Sequence, residues 1–111
     1  MKKMALVILV AALALPLTAE TWKSVTLMDG MCAAKPDKMA DPDGHERSCA
    51  LSCSKSGFGA IIDGKFVKFD SKGNKLAAKA LDKTKKKDHI RATVKGDMKD
   101  DVIHVSALTL E

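Results

Sequence analysis

The chain has 111 residues, with 19 basic and 14 acidic side chains and a formal net charge of +5. Aromatic residues make up 4% of it, as one Trp, three Phe and no Tyr, too few rings for the stacking platform that a single-stranded nucleic-acid site needs. The length allows one modest core and no second domain.

The chain opens with Lys2 and Lys3, an unbroken apolar run from Met4 to Leu15, and a helix-ending Pro16. Leu17-Thr18-Ala19 then places a small residue where a signal peptidase would cut. The apolar run is shorter than the roughly 20 residues that cross a bilayer. Residues 1–19 are therefore expected to be a secretory signal peptide and residues 20–111 a single domain exported to the periplasm or the exterior. Without Lys2 and Lys3 the net charge falls to about +3, a mild balance with the charges interleaved. After cleavage no membrane partner is expected, and no nucleic-acid partner is expected for an exported protein.

In chain order, Trp22 to Met28 predicts a strand, with Val25 and Leu27 alternating against Lys23, Ser24 and Thr26. Asp29 to Asp43, with Gly30, Pro36 and Pro42, predicts turns. A helix is expected next, with Asp43 as its cap, Glu46 as the reciprocal half of a capping box and Gly57 as its stop. Phe58–Ile62 and Lys65–Phe69 flank Asp63-Gly64, a strong signal for a type I′ hairpin. A second helix, capped by Asn74, places Leu76, Ala77, Ala80 and Leu81 on one face. Its end holds Lys83, Lys85, Lys86 and Lys87, a solvated helix terminus or a patch for a polyanion. A second hairpin follows: Ile90, Ala92 and Val94 alternate with Arg91, Thr93 and Lys95, Gly96 to Asp101 turns, and a last strand runs from Val102 to about Leu110. The expected fold is mainly β with two helices: a five-stranded OB-like barrel with an extra helix inserted after the first strand. An open meander with helices on one face is the alternative.

Cys32, Cys49 and Cys53 make an odd count, so in an oxidising compartment at least one thiol escapes an intramolecular disulfide. On the expected helix His45, Cys49 and Cys53 recur at i, i+4 and i+8, which places all three on one stripe. Helical spacing holds Cβ atoms too far apart for a Cys49–Cys53 bridge, whereas a metal seated between two sulfurs tolerates it. Cys32, His45, Cys49 and Cys53 would complete a tetrahedral site for zinc or copper, and Met28, Met31 and Met39 lie close enough in sequence to add thioethers. Two other readings stand beside it. One is a single disulfide from Cys32 to a helical cysteine, stapling a module that binds a small anion, a saccharide or a protein. The other is a redox-active or dimer-forming thiol. His104 alternates with Ile103 and Val105 and is expected on the solvent side, and His89 is a single histidine near the last hairpin. No Ser-His-Asp set, phosphate loop or carboxylate pair is present, and a Cys49–His45 pair on a helix face has no evident oxyanion hole. No enzymatic activity is expected.

Asp29-x-x-Cys32, His45-x-x-x-Cys49-Ala50-x-x-Cys53-x-Lys55-x-Gly57, the Asp-Gly hairpin, and Thr93-Val94-x-Gly96 followed by Ile103-x-Val105 resemble a group of small exported bacterial proteins. The resemblance implies an OB-type barrel behind a signal peptide and no assigned function. Members of that group commonly have two residues between the His and the next Cys; here there are three, Glu46, Arg47 and Ser48.

Overall fold

The computed structural model describes residues 19–111; the expected signal peptide, but for Ala19, lies outside the described residues. Five strands and four short helices follow in the order β1 (Glu20–Asp29), α1 (Gly30–Ala33), α2 (Pro36–Ala40), α3 (Arg47–Ser52), β2 (Phe58–Ile62), β3 (Lys65–Phe69), α4 (Ser71–Lys83), β4 (Arg91–Lys99) and β5 (Val102–Leu110). No described helix is long and apolar enough to cross a membrane.

The strands pair in a closed circuit, β1-β2-β3-β5-β4 and back to β1. All pairings are antiparallel except β3 with β5, which meet in parallel through Lys68↔Val102 and Phe69↔Ile103. The β3–β5 contact that closes the circuit is short, two residue pairs, and the circuit lets a short chain bury inward-facing side chains of its strands. Leu27, Phe58, Phe69, Val94 and Ile103 fill that interior, and Ala77 and Leu81 of α4 pack against it.

The first hairpin forms as its sequence requires. Asp63 and Gly64 take φ of 51° and 78°, the positive values of a type I′ turn. The second is longer than expected. Gly96 lies inside β4 at a register shift, and the turn is Asp100-Asp101, with φ of 54° and 61°. Gly96 is needed there because a Cβ would strike the His104 carbonyl of β5.

Helix α4 is capped by Asp70, not Asn74. The Asp70 carboxylate accepts the Gly73 N–H at 2.9 Å and the Val105 N–H at 3.2 Å, joining the helix start to β5. Asn74 instead accepts the Phe58 N–H at 2.8 Å. Lys83 is the last residue of α4, so Lys85, Lys86 and Lys87 lie beyond it in the connection to β4 and not on its final turn.

The segment between β1 and β2 departs furthest from expectation. Asp29 to Asp43 holds two helices, α1 capped by Asp29 and α2 opened by Pro36. The single helix expected after Asp43 is broken into a 3-10 turn at Pro42–Gly44, two extended residues, α3, and a 3-10 turn at Ser54–Ser56. Asp43 does not cap a helix, because its carboxylate is taken by the Thr26 hydroxyl at 2.9 Å and by the Arg91 guanidinium. Only the stop at Gly57, with φ of 81°, is as expected.

Candidate functional site

Strand β1 ends in a fully buried carboxylate. Asp29 is 0% exposed, and each of its oxygens has a defined partner. Oδ2 accepts the Cys32 N–H at 2.9 Å, the N-cap bond that starts α1. Oδ1 lies 2.7 Å from His45 Nε2. The spacing Asp-x-x-Cys is thus a helix cap whose third residue on is Cys32, and the cap turns the Cys32 side chain inward.

His45 is not on a helix. It follows the 3-10 turn with an extended backbone, φ −69° and ψ 127°, and its side chain is 2% exposed. The residues around it hold it there: the Asp43 carbonyl accepts the His89 N–H at 2.8 Å, and Arg47 N–H donates to the Lys87 carbonyl at 2.7 Å. Asp29, Cys32 and His45 each place a ligand atom within 4.8 Å of the other two, and all three residues are buried. A tetrahedral zinc ion holds its ligands about 3.3–3.8 Å apart, so Cys32 and His45 lie within the range that a cation could bridge after a small adjustment.

Two features define its electrostatics. Beside the Asp29 carboxylate His45 Nε2 is the donor, and in the neutral imidazole that tautomer leaves Nδ1 with a lone pair. Nδ1 has no hydrogen-bond partner and is the only buried side-chain nitrogen or oxygen so placed among the described residues. The Cys32 thiol is pushed up to about 11, first by burial, then by the charge of Asp29 and a hydrogen bond to it, with a smaller contribution from nearby Cys53. At neutral pH Cys32 therefore keeps its proton, which makes it a poor nucleophile.

The structure thus brings together Cys32 and His45 of the expected ligand set and adds Asp29. It does not form the expected stripe. Cys49 lies within α3, Cys53 is its C-cap, and His45 precedes the helix, so the three do not share one helical face. All three cysteines are free; Cys49 and Cys53 are half-buried. The Cys53 thiol donates to the Met31 thioether at 3.8 Å. Met28 is buried in the interior at 0% exposure, while Met31 is exposed. His104 faces solvent as expected, 3.6 Å from Asp70, and His89 is exposed beside Asp88.

A cleft of about 370 Å³ lies along the start of α3 and the α4–β4 connection, lined by Glu46, Arg47, Ser48 and Thr84 to Lys87. Arg47 is engaged there, its guanidinium donating to the Leu81 and Asp82 carbonyls at 2.6 and 3.2 Å and closing the C-terminus of α4.

Comparison of the chain with protein-family models, with curated proteins and with solved structures finds no match.

Proposed function

We propose that the chain is a small exported metal-binding protein. On this reading it is an OB-like barrel behind a signal peptide, with a zinc or copper site built on Cys32 and His45, whose ring Asp29 orients. The circuit order of the strands and the position of α4 between the third and fourth strands support the OB assignment. The motifs between Asp29 and Val105 resemble those of the small exported bacterial proteins described above, which supports the same reading.

One observation carries the metal reading: a buried imidazole nitrogen without a partner, on a residue that belongs to a buried group of three potential ligands. An unpartnered buried nitrogen costs about 1–3 kcal/mol, and a cation would recover that cost. Asp29 has the position of the carboxylate that orients metal-binding histidines. A cation would also displace the Cys32 proton, since the thiolate is the ligand, so uptake would release protons and weaken as pH falls.

The test is metal analysis of protein reconstituted under reducing conditions, with His45→Ala and Cys32→Ser beside the wild type. About one equivalent of zinc or copper in the wild type, and loss of it in both variants, is expected. Less than about 0.1 equivalent in the wild type sinks the reading.

A second reading is favoured by the cleft beside Lys85, Lys86 and Lys87: a module that takes a small anion. Calorimetric titration with inorganic phosphate tests it, and heat that persists in the triple Lys→Gln variant counts against it.

A further inference from the structure

Met31 is exposed without being loose. It is 52% exposed, and among the described residues only Met98 joins it as a large apolar side chain in solvent. Its thioether nevertheless meets the Cys53 thiol at 3.8 Å. Ser56 fixes the pair from behind, its hydroxyl accepting the Met31 N–H at 3.0 Å and donating to the Cys53 carbonyl at 2.7 Å. The Gly30 N–H donates to the Gly57 carbonyl at 2.9 Å, so the start of α1 is tied to the turn after α3 on both sides of the sulfurs. A methionine used for packing gains by burial, and at this exposure that gain is small. The next residue of α1 is Cys32, whose thiol reaches into the Asp29–His45 cluster.

We propose that Met31 and Cys53, together with Cys32, form a Cu(I) site that opens the buried cluster to solvent. The proposal rests on the metal reading of Asp29, Cys32 and His45 and names the ion which that cluster takes from this side. Thiolate and thioether sulfurs select Cu(I), whereas imidazole, carboxylate and thiolate suit Zn²⁺. The thioether is neutral and needs no deprotonation, so it offers an exposed first contact for an arriving ion. Binding breaks the S–H bonds of Cys32 and Cys53, forms two Cu–thiolate bonds and one Cu–thioether bond to Met31, and releases two protons to solvent; copper stays Cu(I) and no electron moves.

Reduced protein is titrated anaerobically with Cu(I) against a chromogenic Cu(I) chelator, and separately with Zn²⁺ against a zinc indicator. Wild type, Met31→Leu and Cys53→Ser are compared. Met31→Leu is expected to weaken Cu(I) by at least about tenfold, the scale on which groups at a metal site change affinity, while Zn²⁺ affinity and melting temperature hold. Cys53→Ser is expected to weaken Cu(I) further, again sparing Zn²⁺. Met31→Leu that binds Cu(I) as tightly as the wild type overturns the proposal, even where Zn²⁺ binds normally. The converse separates the two ideas: Cu(I) binding that needs Met31 in a protein that takes no Zn²⁺ upholds the sulfur site and sinks the buried cluster as a zinc site.

Discussion

Replacing Asp29 with Ala should unfold the metal-free domain more readily than any other change at the site. The substitution removes the acceptor for the Cys32 N–H and the partner of His45 Nε2 together. Loss of the cap is worth about 1 kcal/mol. Leaving a second buried nitrogen on His45 without a partner adds about 1–3 kcal/mol. The sum, roughly 2–4 kcal/mol, corresponds to about 10–25 °C in melting temperature for a domain of this size. Asp29→Asn should behave differently. Its one amide oxygen can still accept the Cys32 N–H, and its NH₂ can face Nε2 if His45 shifts its proton to Nδ1. That variant should lose about half as much stability, yet bind metal poorly because the lone pair on Nδ1 is gone. Thermal melts followed by circular dichroism in the presence of a chelator measure all three proteins. An Asp29→Ala melt within about 2 °C of wild type would refute the reasoning that this carboxylate holds the cluster together.

Further expectations concern pH and packing. Because Cys32 is pushed from 9.0 to about 11 in the folded protein, its stabilising effect is full below pH 9 and is lost as pH rises through about 11. Denaturation of metal-free protein at pH 8 and 10.5 should show a loss of roughly 1–3 kcal/mol that Cys32→Ala abolishes. Arg91 holds the Asp43 carboxyl below its usual range, so its contribution is present above pH 3.8 and disappears as pH falls through the lowered value. Asp43→Asn should cost about 1 kcal/mol at neutral pH and flatten the acid limb of the stability profile. Gly96→Ala should cost roughly 1–3 kcal/mol by urea denaturation, because the new methyl must displace the β5 backbone. His104→Ala should stay within about 0.5 kcal/mol of wild type, given its exposed position.

What was legible in the sequence was local. Asp63-Gly64 demands positive φ at both positions, so the first hairpin is read from two residues, and the alternation in Ile90, Ala92 and Val94 follows from one buried face. The segment from Asp43 to Cys53 misled because its capping signals have stronger partners elsewhere. Asp43 finds Arg91, 48 residues on, and Thr26, and His45 finds Asp29, 16 residues back. None of those pairs has a sequence signature, and each pulls its residue off the helical path. Cys32 and His45 were recognisable as site residues by type, while Asp29 was visible only as the first letter of a motif. An Asp three positions before a Cys is an N-cap signal in its own right, and a strand that ends on a cap places that carboxylate at the rim of the interior.

The short stretch from Asp43 to Arg47 leans on Lys87 to His89 through one hydrogen bond on each side of His45, running in the opposite direction as a strand would but outside the circuit of five. The histidine is therefore mounted on a strip that a connector rich in exposed lysines supports from one side. A protease that cuts after lysine has three adjacent sites in that connector. A single nick between Lys85 and Lys87 would leave the circuit's own pairings intact while releasing the anchor of His45. Limited trypsin digestion would then uncouple the lifetime of the cluster from that of the fold, and an ion held by His45 should slow the cut.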